Sequence, residues 1–135
     1  MAELETLLIG AVVYDVTFAA DVKQHRDDGT YKNLHGEVDF AALEIRVEDT
    51  QNEQMKRVTV LHEAIHAILN GAGYFEHPEE LITALGFGLY DLLKNNSDLL
   101  AWLDVQKHSA RLAGEMAEVE RIQRRIDRVR GPLNR

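Results

Sequence analysis

Ten residues constrain this chain more than any others: Val60-Leu61-His62-Glu63-Ala64-Ile65-His66-Ala67-Ile68-Leu69. Two histidines stand four residues apart, with a glutamate directly after the first. Positions i and i+4 of an α-helix share a face, one turn apart. His62 and His66 can then hold one Zn²⁺ from the same side, with Glu63 beside the metal to handle a water. Apart from Glu63, the residues flanking the histidines are uncharged, so this stretch reads as a helix meant to be buried. The rest of the fold must supply the walls around it.

Those walls begin as strands. Leu7 to Gly10 is apolar, and Val12 to Phe18 is rich in β-branched and aromatic residues. Asp21 to Leu34 is polar, contains Asp27-Asp28-Gly29, and reads as a loop or turn. Gly36 to Phe40 and Leu43 to Val47 each alternate apolar and polar side chains, as half-buried strands do, with Ala41-Ala42 as the connection of a hairpin. The sum is a small antiparallel sheet preceding the histidine helix.

Thr50 or Asn52 supplies the N-cap of that helix, which runs from about Glu53 to Asn70 and ends at Gly71 and Gly73. Pro78 followed by Glu79-Glu80 starts a second helix, with acids where the helix dipole is positive. Leu81, Ile82, Leu85, Leu89, Leu92 and Leu93 give it an apolar stripe to about Lys94. Asn95 to Asp98 breaks the pattern and caps a short helix, Leu99 to Leu103, containing Trp102. From Val105 to about Val129 a narrow stripe, Leu112, Met116, Val119, Ile122, Ile126 and Val129, resembles a helix–helix seam. It serves either packing on the protein's own body or a homo-oligomer contact. The fold class is therefore α+β, with a domain over residues 1–104 and a basic amphipathic helix over 105–135.

Charge and composition exclude several function classes. With 135 residues the length fits one domain, and 45% apolar and 28% charged residues suit a globular protein. There is no cysteine, hence neither a disulfide framework nor a thiolate metal site. No apolar run approaches the roughly 18 to 20 residues that span a membrane, and acids occupy the place of a signal's basic start, so a cytoplasmic protein is expected. The net charge of −8 is uneven: residues 107–135 hold eight basic and four acidic groups, the remainder seven basic and nineteen acidic. A basic helix on an acidic chain suggests docking or an acidic partner. Its basic residues are not interleaved with aromatics, which disfavours nucleic acid.

A catalytic zinc site needs three protein ligands and an open position. The spacing rejects several choices for the third. Extended motifs would need glycine at 69 and histidine at 72, where Leu69 and Ala72 stand; a glutamate after eighteen intervening residues would fall on Leu85. What remains is the start of the next helix, with Glu80 preferred and Glu79 and His77 as alternatives. Glu63 would be the general acid–base, and Tyr74 or His108 candidates for stabilising the oxyanion. His-Glu-x-x-His fixes only three residues in five and turns up in unrelated helices. The uncharged flanks, the strand pair before it and the acidic helix start after it strengthen the metal reading.

Gly36 to Phe40, Glu44 to Val47 and Val60 to Leu69 together resemble the ImmA/IrrE family of metallopeptidases, in particular its short phage- or mobile-element-associated members. Glu79-Glu80-Leu81-Ile82, leading to Gly88 through Asn96, looks like the helix after the motif in those members. The resemblance spans about residues 10 to 103. It implies a gluzincin-like, zincin-type core with His62 and His66 as zinc ligands, Glu63 as the base and Glu80 as the third ligand. It also implies endopeptidase action on a protein partner, for which a transcriptional repressor or phage regulator in a bacterial cytoplasm is the family precedent. The larger members' Glu-Ala-Asn-type segment and Leu-Met-Pro stretch are missing here. The alternatives are a non-catalytic binding protein on the same fold, or an assembly protein that oligomerises through the C-terminal helix.

Overall fold

Alternation of apolar and polar residues decides which face of the sheet is covered. In the computed structural model, which describes residues 3–130 and only the backbone of 105–113, six strands are followed by four helices. They are β1 (Thr6–Ile9), β2 (Val12–Ala19), β3 (Lys23–His25), β4 (Tyr31–Asn33), β5 (Gly36–Asp39) and β6 (Glu44–Glu48), then α1 (Glu53–Gly71), α2 (Glu79–Asn95), α3 (Ser97–Leu103) and α4 (Val105–Arg130). The α+β class expected from the sequence is the one observed. The chain divides into two compact units, Met1–Lys94 and Asn95–Arg135, so α3 groups with α4, whereas the sequence reading placed it in the first domain.

The first unit holds a four-stranded sheet in the order β1-β2-β6-β5. The β5–β6 pair is the hairpin that the sequence suggests; β1 and β2 form a second one, and both are antiparallel. The expectation of an antiparallel sheet is corrected at its centre, where β2 and β6 run parallel, with Val16 opposite Ile45 and Phe18 opposite Val47. Local patterning identifies hairpins, but it carries no signal for which strands of separate hairpins meet. A second correction concerns residues 21–34, read as a loop: β3 and β4 form a two-stranded ribbon closed by a turn at Gly29, φ 84°. Its side chains are mostly exposed, so it lacks the apolar alternation that marks a strand.

Tyr14 and Val16 of β2 and Ile45 and Val47 of β6 point to one face and pack with Ala67 of α1, joined by Phe18, Val38 and Val60. Ile45 and Val47 are fully buried. Each contributes about 1.5–3 kcal/mol by leaving water. The opposite face carries Glu37, Glu44 and Arg46, with Arg46 paired to Glu37 across the β5–β6 ladder.

Helix α1 starts where Asn52, in an extended conformation, accepts a 2.9 Å hydrogen bond from the Met55 backbone N–H. The Lys56 ammonium binds Asp49 at 2.7 Å and Glu53 at 3.2 Å beside that cap. Gly71 remains helical, and the turn out of the helix uses Gly73 at φ 90°, whose N–H reaches the Asn70 carbonyl. Helix α1 packs against β5 and β6, which is why it is covered along most of its circumference.

Helix α2 departs from the expected stripe. Its buried residues are Ile82 and Gly86, while Leu81, Leu85, Leu89 and Leu92 are exposed. A Cβ built on Gly86 would lie 3.5 Å from the His62 Cα, so α2 passes against the backbone of α1 at that point. In the second unit, Met116, Val119, Ile122, Ile126 and Val129 form an exposed row on α4. Leu112 and His108 fall among the residues whose side chains lie outside the description. Among the described residues, no helix is long and apolar enough to cross a membrane.

Candidate metal centre

Helical phase alone brings the two histidines together: their Nε2 atoms are 3.3 Å apart. Both side chains are largely shielded, at 20% and 12% exposure. The third donor is Glu79. Its Oε2 lies 3.1 Å from His62 Nε2 and its Oε1 2.8 Å from His66 Nε2. Among the described residues, His62, His66 and Glu79 form the group able to offer a metal three ligand atoms within 4.8 Å of one another.

The structure thus places Glu79, rather than Glu80, against the histidines, although both glutamates are exposed. The reason is the phase of α2. Residues 79, 82 and 86 follow an i, i+3, i+7 pattern and share a face, and Ile82 and Gly86 are the buried positions. Preferring Glu80 assumed that Leu81, Leu85 and Leu89 face inward, and they do not. Gly86 was the available signal, since a glycine inside a helix often marks a close approach. His77, the other alternative, meets His66 at Nδ1, 2.6 Å from its own Nδ1, whereas Glu79 meets the Nε2 of that ring.

The donor set fits zinc. Bonds of about 2.0–2.1 Å in a tetrahedron separate adjacent ligand atoms by roughly 3.3 Å. The His62–His66 Nε2 separation of 3.3 Å matches that edge, and the two Glu79 carboxylate oxygens each meet one imidazole, at 2.8 and 3.1 Å. Nitrogen and carboxylate oxygen together suit this borderline metal. Burial holds His66 below its usual pKa, against the opposing pull of Glu79, and so favours the neutral imidazole that a ligand must be.

Glu63 is buried on the adjacent face of α1, with Oε1 3.9 Å from His62 Nε2. Desolvation raises its pKa to about 8, helped by the negative charges of Glu79 and Glu37. Sequence reasoning did not anticipate the Glu37 contribution, which comes from β5 lying directly over α1. A Cβ on Gly36 would stand 2.5 Å from Thr59 Cγ2 and 3.4 Å from Glu63 Cγ. Only glycine permits this approach.

A cleft of about 680 Å³ opens over these residues. Its walls are β5 with its flanks (His35 to Val38, and Phe40), α1 (Met55, Val58, Thr59), α2 (Thr83, Phe87) and the ribbon through Gln24 and Lys32. Strand β5 is an outer strand of its sheet, and it runs along the cleft. Of the two oxyanion candidates, Tyr74 has an exposed ring and contributes its backbone carbonyl to His77, while His108 lies outside the described side chains. No protein-family model, curated protein or solved structure gives a match to this chain.

Proposed function

We propose that this protein is a zinc-dependent endopeptidase acting on an extended segment of a protein partner, with His62, His66 and Glu79 holding the metal. The observation that carries the reading is the convergence of those three donors, with ligand atoms within 4.8 Å of one another and a buried glutamate next to them. Bound there, zinc supplies Lewis-acid polarisation of a carbonyl and acidifies water to a pKa of roughly 7.

The chain's own residues supply the rest. Glu63 takes the proton of the attacking water on its carboxylate and passes it to the leaving amine. Its burial matters to that second role, because a carboxyl held to about pKa 8 is a proton donor at neutral pH. A metal held by His62, His66 and Glu79 would lower that value and so favour the base form of Glu63 before attack. Strand β5 offers its outer edge to an extended backbone, the mode in which main-chain hydrogen bonds give affinity independently of sequence. Phe40, Met55, Val58 and Phe87 supply apolar wall for side chains of the bound segment.

The test is cleavage of a library of unstructured peptides by zinc-loaded protein, read by mass spectrometry. Wild type is expected to cut, and Glu63→Gln to bind zinc equally well while losing about 10²-fold or more in rate. Equal cleavage by Glu63→Gln contradicts the assignment of Glu63. Stoichiometric zinc with no cleavage by wild type favours a non-catalytic binding protein on the same fold.

A further inference from the structure

The histidine left over in the loop between α1 and α2 has a definite set of contacts. His77 Nε2 lies against the backbone carbonyl oxygen of Tyr74. A carbonyl only accepts, so in the neutral imidazole the hydrogen sits on Nε2 and the lone pair on Nδ1. That Nδ1 lies 2.6 Å from His66 Nδ1, with ring centroids 4.9 Å apart and 30° between planes, so the two rings meet edge to edge through these nitrogens. One of the two Nδ1 atoms must donate, and with His77 neutral the donor is His66. His66 Nε2 is then bare, and it is the atom that faces Glu79 and His62.

We propose that His77 is a positioning residue for the metal centre: it accepts a hydrogen bond from His66 Nδ1–H and thereby fixes His66 in the tautomer whose Nε2 lone pair binds zinc. This rests on the zinc-site reading above and adds a role that no ligand list contains. Metal-ligating histidines usually donate their other ring N–H to an acceptor that fixes ring orientation and raises basicity, most often a carboxylate, carbonyl or water. Here the acceptor is another imidazole.

The loop is built to hold it. The Tyr74 N–H donates to the Leu69 carbonyl at 2.9 Å, which ties the start of the loop to the end of α1. The Tyr74 carbonyl then receives His77, and His77 returns to His66 on α1. The next residue, Pro78, immediately precedes α2, its carbonyl accepting from the Leu81 and Ile82 N–H groups at 3.0 and 3.1 Å. Glu79 follows immediately. One short segment therefore delivers both the third ligand and the residue that orients the second.

Two measurements on the full chain test this. In zinc-free wild type at a pH where histidine is neutral, ¹⁵N chemical shifts are expected to show His66 as the Nδ1–H tautomer, the less common form of a free imidazole. His77→Phe keeps an aromatic ring and removes the acceptor, and it is expected to return His66 to Nε2–H and weaken zinc binding by about 10- to 100-fold. His77→Asn, whose Oδ1 can replace the acceptor, is expected to stay within a few-fold of wild type. Zinc affinity is read by competition with a chromophoric chelator, using the metal alone. An Nε2–H tautomer at His66 in wild type, undiminished affinity in His77→Phe, or equal losses in the Asn and Phe variants overturns the proposal. Failure of wild type to bind zinc overturns instead the reading on which it rests.

Discussion

Replacing Glu63 with glutamine should stabilise the zinc-free protein at alkaline pH, although it removes the group assigned to proton transfer. The Glu63 carboxyl is buried, and its pKa rises from 4.5 to about 8 through desolvation and the nearby charges of Glu79 and Glu37. Between those values the folded state holds a proton that the unfolded chain has released, so unfolding free energy falls as pH rises through the window. The roughly 3.5-unit difference corresponds to about 5 kcal/mol once Glu63 is ionised in the fold. That is a ceiling, because water entering the cleft would relieve part of it. Glutamine is close in size and does not titrate. The difference between the two proteins should therefore be small near about pH 5 and grow to several kcal/mol near about pH 8.5, and even half the ceiling moves Tm by roughly 10 °C. Urea or thermal unfolding in the presence of a chelator across that range measures it. The lowered pKa of His66 acts with the opposite sign, stability falling as pH drops, and is shared by both proteins, so it cancels in the comparison. Parallel stability curves for wild type and Glu63→Gln would refute the argument that a buried, charge-crowded carboxyl sits beside the histidines.

Two further substitutions probe the scaffold. Gly36→Ala places a Cβ at 2.5 Å from Thr59 Cγ2 and 2.9 Å from the Arg46 carbonyl oxygen, so β5 must shift off α1; an unfolding free energy lowered by about 1–3 kcal/mol is expected in urea, and an unchanged value contradicts the close approach. Asn52→Ala removes the acceptor for the Met55 N–H and should cost about 1 kcal/mol of stability while leaving zinc affinity unchanged, since the cap is at the far end of α1 from His66.

Much of this arrangement is legible in the sequence, and the limits have physical causes. Helix α1 declares itself through Asn52, the i, i+4 histidines and Gly73, each of which acts within a few residues of itself. The β5–β6 hairpin does so through alternation. The parallel β2–β6 pairing is not declared, because it joins segments of two hairpins whose local patterns are the same in either arrangement. That Glu79 rather than the preferred Glu80 stands against the histidines escapes the sequence for a related reason. On α2 the more apolar stripe, Leu81, Leu85 and Leu89, is exposed, and the face turned toward α1 carries Glu79, Ile82 and Gly86. Hydrophobicity pointed one way and the small residue at the helix crossing pointed the other. The role of His77 depends on which side of the His66 ring it meets, and spacing does not encode that.

The most direct test of the account is zinc content per chain, by elemental analysis after loading and desalting, on wild type, Glu79→Ala and Glu80→Ala. The account predicts one zinc in wild type and in Glu80→Ala, and its loss in Glu79→Ala. Zinc retained in Glu79→Ala but lost in Glu80→Ala would contradict the phase of α2 described here, and no zinc in wild type would contradict the metal centre itself.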